Sequence, residues 1–213
     1  MIIGRVMIKN PIFVNPMMSI NEVRDLMEGE KIGHLPVLDK QDHLVGIITR
    51  EDLIKAAPSS ATSLDVYEIN YLLSKMTVND VMEKKVITVE ESEVVEEAAR
   101  IMADYSIGCL PVMRDKRLVG IITDTDLFHV FVNAFGARQK GIRITFSIQE
   151  KQGQLAKLTQ AITEQKGNIL SLVTSEGDDL TSRRLTMKVD GLGKKQLEAI
   201  MKTFPDVKLE DIR

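Results

Sequence analysis

The amino-acid sequence predicts a mixed α/β protein made of two similar modules in a pseudo-twofold pair, followed by a ferredoxin-like βαββαβ domain. Two observations support this fold class. The stretch Gly33–Leu38 (GHLPVL) returns 75 residues later as Gly108–Met113 (GCLPVM), and each copy is followed by a Leu-Val-Gly-Ile-Ile-Thr segment. An internal repeat of a whole strand–helix–strand–strand–helix unit indicates two modules packed together. After residue 140 the repeat ends, and apolar and polar residues alternate as in a half-buried strand.

The first repeat, residues 1–58, shows clear local signals. Ser19–Glu22 (SINE) fits a helix capping box, and Ile20, Val23 and Met27 follow it at helical spacing. Val37–Leu38 and Leu44–Ile48 predict two strands around a polar turn. Thr49 then opens a helix over residues 50–55.

A connector over residues 59–75 separates the repeats. Ala57–Ser63 is small and polar, as in a loop, whereas Val66, Ile69, Leu72 and Leu73 return to helical spacing and predict a docked helix. The second repeat, residues 76–136, matches the first, except that Val94 occupies the place of the capping residue Ser19. Its last helix continues through residues 126–132 and ends near Gly136.

The C-terminal domain, residues 140–213, begins with the alternating strand Ile142–Ile148. A helix with Leu155, Leu158 and Ile162 on one face follows and stops at Gly167. Strands over 168–174 and 185–189, a helix around 197–201 and a strand over 207–212 complete the order βαββαβ, which is ferredoxin-like.

Composition and charge exclude several function classes. The net charge of −3 provides no basic field for nucleic acid or for an anionic membrane, and no apolar run reaches the length of a membrane span. The N-terminus lacks the layout of a signal peptide, so we expect a cytoplasmic protein. The single cysteine, Cys109, permits no intrachain disulfide and predicts a buried structural thiol.

Catalytic chemistry has no support in the sequence. The three histidines lack ligand spacing, so we expect no metal site. Neither a P-loop nor a nucleophile motif is present. We therefore expect a non-enzyme with no catalytic residues and no required cofactor.

One motif occurs at the start of the last helix of both repeats. Thr49 and Asp52 form a Thr-x-x-Asp pair, and Thr123 and Asp126 form the second. A threonine hydroxyl and the first N–H groups of a helix can hold a phosphate, and a carboxylate can accept both vicinal hydroxyls of a ribose. The alternative is a capping box with no ligand, because the same residues at the same spacing cap helices.

The twofold pattern resembles a tandem pair of CBS domains, the module named for cystathionine β-synthase. The matching features, present in both copies, are the leading strand with its Glu-rich helix, the Leu-Pro-Val strand and the Gly-Ile-Ile-Thr-x-x-Asp-Leu ending. The resemblance implies that an adenine nucleotide (AMP, ADP or ATP) or a related adenosyl compound binds as a regulatory ligand. The implied positions are Thr49, Arg50, Asp52, Thr123, Asp126, Ile12, His34, Leu35, Pro36, Ile87, Cys109, Leu110 and Pro111.

The C-terminal domain is similar to an ACT domain, a small regulatory amino-acid-binding module. The similarity lies in Gly153 at the first turn and in Gly167–Ile169 after the helix. It implies a possible ligand turn formed by Gly153, Gln154, Leu155, Asn168 and Ile169. A CBS pair followed by an ACT domain resembles the acetoin utilisation accessory proteins of bacteria.

We therefore expect a non-catalytic regulator that signals to a partner enzyme, possibly in acetoin or acetate metabolism. The alternative is an adaptor that controls a partner without a small ligand. We also expect a homodimer, because the apolar faces of residues 20–27 and 95–102 exceed what one small repeat can cover. Arg50 follows Thr49, whereas Asp124 follows Thr123. The Thr49/Asp52 site is therefore expected to prefer phosphorylated nucleotides, and the Thr123/Asp126 site to bind them more weakly.

Overall fold

A computed structural model of the chain describes residues 1–56, 65, 67–68, 71, 75–178 and 181–213. The chain divides into two compact units, Met1–Leu127 and Phe128–Arg213. The loop predicted over Ala57–Ser63 and the connector helix predicted from Val66, Ile69, Leu72 and Leu73 lie outside the described residues.

The first unit holds the two repeats. After a 3₁₀ turn at Ile3–Arg5, its elements are β1 (Ile8–Lys9), α1 (Ile20–Gly29), β2 (His34–Leu38), β3 (Leu44–Thr49), α2 (Arg50–Ala56), α3 (Val78–Val81), β4 (Val89–Glu90), α4 (Val95–Tyr105), β5 (Cys109–Arg114) and β6 (Arg117–Thr123). Helix α5 (Asp124–Ala134) begins in this unit, and from Phe128 onward it belongs to the second one.

The predicted capping box at the start of α1 is confirmed. The Glu22 N–H donates to Ser19 Oγ at 3.3 Å, and the Ser19 N–H donates to Glu22 Oε2 at 2.9 Å. Residues in the left-handed region follow the first helix of each repeat, Lys31 (φ +57°) and Ser106 (φ +54°). The two repeats therefore end this helix in the same way.

Each repeat forms a hairpin with one shared register. In β2–β3, His34 lies opposite Thr49 and Val37 opposite Gly46. In β5–β6, Cys109 lies opposite Thr123 and Val112 opposite Gly120. Both hairpins carry an irregularity directly after the valine. The register places each threonine of the Thr-x-x-Asp motif at a strand end, beside the first residue of the partner strand.

The leading segments of the repeats, residues 1–9 and 76–83, are exchanged between them. Strand β1 belongs to the first repeat but pairs with β6 of the second, through Ile8 opposite Ile121. Glu83 belongs to the second repeat but bonds to β3 of the first: its N–H donates to the Ile47 carbonyl, and the Ile47 N–H donates back to the Glu83 carbonyl, both at 2.9 Å. Methionines next to these contacts cross the hairpin glycines, Met7 at Gly120 and Met82 at Gly46.

This exchange joins the two modules into one core. Val78 and Met82 pack in the cluster of the first repeat, together with Val14, Leu35 and Ile48. A second cluster combines Ile47 of β3 with Cys109 and Ile121 of the second repeat. Neither repeat is therefore complete without residues on the far side of the connector.

The apolar helix faces expected to form a homodimer surface are buried inside the unit. Ile20, Val23 and Met27 of α1 are between 0% and 3% exposed, and Val95, Ala98 and Met102 of α4 are also buried. Helix α1 packs on its own β2–β3 hairpin. The argument that these faces leave apolar surface for a second copy is therefore wrong, because the chain's own strands cover them.

The second unit confirms the predicted βαββαβ order. It consists of β7 (Ile142–Gln149), α6 (Gln154–Glu164), β8 (Asn168–Glu176), β9 (Ser182–Asp190), α7 (Lys194–Lys202) and β10 (Val207–Ile212). The strands form one antiparallel sheet in the order β10-β7-β9-β8. Apolar residues of both helices cover one face of this sheet, and Phe146, Leu158 and Leu197 are fully buried.

Within the described part of the chain, no helix is long and apolar enough to cross a membrane. The same residues contain no group of three or more His, Cys, Asp and Glu side chains that could hold a metal ion.

Candidate functional site

The two Thr-x-x-Asp motifs form matching capping boxes. Asp52 Oδ2 accepts from the Thr49 N–H at 2.8 Å and from the Thr49 hydroxyl at 2.7 Å. Asp126 Oδ2 accepts from the N–H and hydroxyl of Thr123 at the same two distances. The capping function is therefore present in both repeats. It uses one carboxylate oxygen of each aspartate, and Asp52 Oδ1 accepts no hydrogen bond from any residue that the structure describes.

The donors that the sequence suggested for a phosphate are engaged within the chain. The Thr49 hydroxyl donates to Asp52, and the Arg50 N–H donates to the Gly33 carbonyl at 2.9 Å. The Arg50 side chain turns back, where its Nη2 donates to the Ile32 carbonyl at 3.2 Å. The start of α2 therefore offers an accepting carboxylate oxygen to a ligand more readily than a cradle of N–H donors.

A cleft of about 750 Å³ joins the first motif to the second repeat. Thr49 and Asp52 line one side of it. On the other side are two residues of the second repeat, Ile87 and Cys109 at the start of β5. This volume falls within the range of ordinary small-molecule sites.

The structure brings together about half of the predicted nucleotide-binding residues. Thr49, Arg50, Asp52, His34, Ile87, Cys109 and Pro111 all line the cleft. Leu35 and Leu110 are fully buried in the core, and Pro36 is buried with them. Ile12 is exposed. Thr123 and Asp126 are not among the described residues that line this cleft.

Several lining residues were not identified as ligand contacts from the sequence, and the repeat itself was the signal that could have found them. Equivalent positions of the two repeats meet here as pairs: Gly33 with Gly108, His34 with Cys109, Lys31 with Ser106, and Arg50 with Asp124. The cleft therefore straddles the pseudo-twofold relation between the repeats. The pairing is partial, because Thr123 and Asp126, the equivalents of Thr49 and Asp52, are not among the described residues that line the cleft.

Asp124 lies in the Thr49/Asp52 cleft, which the sequence did not indicate. A Cβ placed on Gly108 would be 3.5 Å from Asp124 Oδ2 and 3.3 Å from His34 Nε2, so the carboxylate and the imidazole flank the same glycine. The Asp124 N–H donates to the Gly108 carbonyl at 2.9 Å. The residues Arg50 and Asp124, which were expected to make two separate sites unequal, act on one site.

The electrostatics of the cleft follow from this arrangement. Burial lowers the pKa of His34, although the nearby Asp124 carboxylate opposes the shift, so this imidazole is mostly neutral at pH 7. Burial, assisted by the charge of Asp124, raises the pKa of the Cys109 thiol to about 12. The prediction of a buried thiol is confirmed, because Cys109 is 5% exposed. A thiol of this kind is chemically inert.

The formal charges that line the cleft balance. Four basic side chains (Lys31, Arg50, Lys55 and Lys85) face four carboxylates (Glu51, Asp52, Glu83 and Asp124) among the described lining residues. Lys55 already pairs with Glu51 at 3.5 Å.

The predicted ACT ligand turn is divided within one chain. Gly153, in the left-handed region at φ +79°, precedes α6, and Asn168 opens β8 after α6 has ended. An eleven-residue helix separates them by about 16 Å. Gln154 Nε2 donates to Asp206 Oδ2 at 2.9 Å, Leu155 is exposed, and Ile169 packs against the core.

These observations define a class of protein: a pair of exchanged strand–helix–strand–strand–helix modules with a ligand-sized cleft between them, joined to a ferredoxin-like domain. The CBS domain family matches residues 3–59 and 78–133, which is more than half of the chain. The chain therefore belongs to the CBS domain family. The family described as TTHA0829-like ACT domain matches residues 140–213, so an ACT domain follows the CBS pair.

One curated relative is the L-aspartate semialdehyde sulfurtransferase of Methanocaldococcus jannaschii. It is 35% identical over 124 residues, which are 58% of this chain and 22% of that protein. The chain thus spans about a fifth of the length of this enzyme.

Three solved structures resemble the CBS pair. The CBS domain pair of protein MJ0100, in complex with 5′-methylthioadenosine and S-adenosyl-L-methionine, has a TM-score of 0.53 and 31% identity, and covers 65% of this chain and 98% of that one. AcuB of Vibrio cholerae, named as an acetoin utilization protein, has a TM-score of 0.54 and 29% identity, with 65% and 96% covered. CBSX2 in complex with AMP has a TM-score of 0.50 and 29% identity, with 62% and 96% covered.

Proposed function

We propose that this protein is a non-catalytic regulator whose CBS pair binds an adenosyl ligand in the Thr49/Asp52 cleft. The observation that carries the proposal is the assembly of the cleft from both repeats: a half-buried carboxylate with one oxygen available on one side, and apolar side chains on the other. Two of the similar structures are complexes with adenosyl compounds. The CBS pair of MJ0100 is in complex with 5′-methylthioadenosine and S-adenosyl-L-methionine, and CBSX2 is in complex with AMP.

In this proposal each side of the cleft recognises one part of the ligand. Asp52 keeps its capping bonds through Oδ2 and accepts a ribose hydroxyl through Oδ1. Ile87, Pro111 and the Cys109 region provide the apolar surface for adenine, next to the cluster of Ile47, Cys109 and Ile121. Because ribose and adenine then contact different repeats, binding favours one relative spacing of the two repeats. A partner protein can sense this spacing.

The same proposal includes a partner enzyme, a cytoplasmic location and a link to acetoin or acetate metabolism, the last suggested by the likeness to AcuB. It also includes a homodimer, formed mainly through the exposed side of α2 next to α1. An apolar groove of about 650 Å³ runs between α1 and α2, lined by Met27, Leu53 and Ile54, and Ile54 is 68% exposed. A light-scattering mass of one chain at micromolar concentration would contradict the homodimer.

Calorimetric titration tests ligand binding. The full-length protein is titrated with AMP, ADP, ATP, S-adenosylmethionine and 5′-methylthioadenosine, and so are the Asp52→Ala and Asp126→Ala variants. Asp52→Ala should abolish binding at this cleft. It should also cost about 1 kcal/mol of stability, because the capping box is lost.

A matched control separates capping from ligand binding. Thr77 and Asp80 form another capping box with the same Thr-x-x-Asp spacing, in which Asp80 Oδ2 accepts from the Thr77 N–H at 2.9 Å and from its hydroxyl at 2.8 Å. Neither residue is among the described residues that line the cleft. Asp80→Ala should therefore lower stability by a similar amount and leave binding unchanged. Unaltered affinity in Asp52→Ala would contradict the ribose role.

The second candidate is an adaptor that acts through its surfaces alone. The complete capping boxes favour it, because they account for both Thr-x-x-Asp motifs without any ligand. A ligand at 100 times its dissociation constant adds about 2.7 kcal/mol to stability. An adaptor would show no thermal shift with any of the five compounds.

A further inference from the structure

The proposed ligand cleft combines charges that the sequence assigned to two separate sites. Arg50 belongs to the first repeat and Asp124 to the second, and both line the same cleft. The opposing carboxylates match the basic side chains in number. Such a cleft exerts no net attraction on a polyanion.

The basic groups nearest the motif are also engaged. Arg50 Nη2 donates to the Ile32 carbonyl at 3.2 Å, and Lys55 pairs with Glu51 at 3.5 Å. The Thr49 hydroxyl and the Arg50 N–H are bonded within the chain. A phosphate that enters near α2 would therefore have to displace existing bonds.

Asp124 occupies the opposite side of the cleft, beside the backbone of Gly108 and Cys109. Gly108 has no side chain, which lets Asp124 Oδ2 and His34 Nε2 approach within 3.5 Å and 3.3 Å of the position that a Cβ would take. The burial that lowers the pKa of His34 keeps its imidazole mostly neutral at pH 7, so His34 does not neutralise the Asp124 carboxylate. The Thr125 hydroxyl donates to Asp124 Oδ1 at 3.2 Å and leaves the negative charge in place. An anionic group on a ligand in this part of the cleft is repelled, and a cationic group is attracted.

We infer that Asp124 makes the Thr49/Asp52 cleft select neutral or cationic adenosyl compounds over adenosine phosphates. This inference rests on the proposed function and adds the charge class of the ligand. Among the compounds in the test, 5′-methylthioadenosine is neutral and S-adenosylmethionine carries a sulfonium cation, whereas AMP and ATP carry phosphate charge. This order of affinity is the reverse of the preference for phosphorylated nucleotides that the position of Arg50 beside Thr49 suggested.

Calorimetry on the full-length Asp126→Ala variant isolates this cleft from the Thr123/Asp126 motif. In that background, Asp124→Asn keeps the size of the side chain and removes its charge. Affinity for AMP should rise roughly fivefold and affinity for S-adenosylmethionine should fall by a similar factor, as expected for one screened unit charge several ångströms away. Affinity for neutral 5′-methylthioadenosine should not change.

Two further variants control for effects other than charge. Asp124→Glu keeps the carboxylate and should retain the parent order of affinities. Asp115→Asn changes an exposed turn residue at φ +49°, a conformation that asparagine tolerates, and should change none of them. Raising the salt concentration should shrink the difference between AMP and 5′-methylthioadenosine in the parent, because the repulsion is screened.

The outcomes distinguish the inference from the proposed function. The inference is overturned if binding depends on Asp52 but Asp124→Asn leaves the ratio of AMP affinity to S-adenosylmethionine affinity unchanged. The proposed function stays intact in that case. Tighter binding of ATP than of 5′-methylthioadenosine in the Asp126→Ala variant overturns it as well. Absence of Asp52-sensitive binding for all compounds overturns both.

Discussion

Replacing Gly120 with alanine tests the exchange of leading segments on which the cleft depends. A Cβ at Gly120 would lie 2.9 Å from the Ile8 carbonyl oxygen and 3.1 Å from Met7 Cγ, and it would also clash with the Met7 sulfur. The equivalent Cβ at Gly46 would meet the flexible end of Met82, with the nearest backbone oxygen, that of Glu83, at 3.2 Å. At Gly46 the methionine side chain can adopt another rotamer and make room. At Gly120 the backbone of a paired strand would have to shift, which is more difficult.

The structure therefore predicts unequal costs at two equivalent glycines. Overpacking of this kind costs about 1–3 kcal/mol, and Gly120→Ala should fall in that range because β1 must shift. This corresponds to a fall of roughly 4–12 °C in Tm for a unit of this size. Gly46→Ala should cost about 1 kcal/mol or less. Gly29→Ala is the matched control, since no described atom outside its chain neighbours and its own helix backbone lies within 4 Å of its Cβ position.

Differential scanning calorimetry of the full-length variants measures these costs, and the transition of the C-terminal unit provides an internal reference. A double-mutant cycle with Met7→Ala should show that Gly120→Ala costs less once the sulfur is gone. If Gly120→Ala is as stable as Gly29→Ala, β1 does not pack against β6 at Gly120 as closely as the structure shows. The exchanged arrangement would then be refuted.

Three other predictions follow from local features. The pKa of His34 is lowered in the folded state, so below its ordinary value of 6.5 the unfolded chain takes up the proton first. The free energy of unfolding should therefore fall as the pH drops from about 7 toward the folded-state pKa. Urea titrations should show that the unfolding free energy of His34→Gln depends less steeply on pH than that of the parent protein. An identical slope would contradict this. Because the pKa of Cys109 is about 12, a disulfide reagent at pH 8 should modify native protein far more slowly than protein in urea, and equal rates would argue against burial. Val94 occupies the place of the capping residue Ser19 but makes no side-chain cap bond. Since Glu97 stands three residues later, Val94→Ser should complete a capping box and add about 1 kcal/mol to the unfolding free energy. A loss of stability would show that the β-bridge between Ile2 and Val94 matters more than the cap.

The features that the sequence determined by itself are local. The capping boxes at Ser19, Thr49 and Thr123 form between residues three positions apart, and the β2–β3 and β5–β6 hairpins pair residues that are close in the sequence. Local spacing also set the βαββαβ order of the C-terminal unit. These features depend on apolar periodicity and on side chains that satisfy nearby N–H groups, both of which can be seen in a short window of residues.

Only the tertiary structure decided which repeat each leading segment joins. Residues 1–9 and 76–83 are related by the repeat, and the hairpins they could pair with are related in the same way. Periodicity shows that a residue such as Met7 or Met82 is buried. It does not show which of the two nearly identical hairpins buries it. The choice depends on contacts more than 100 residues apart for Ile8 with Ile121. Because that choice brings Ile87, Cys109 and Asp124 to the side of Asp52, the composition and charge of the cleft follow from the way the two repeats are joined.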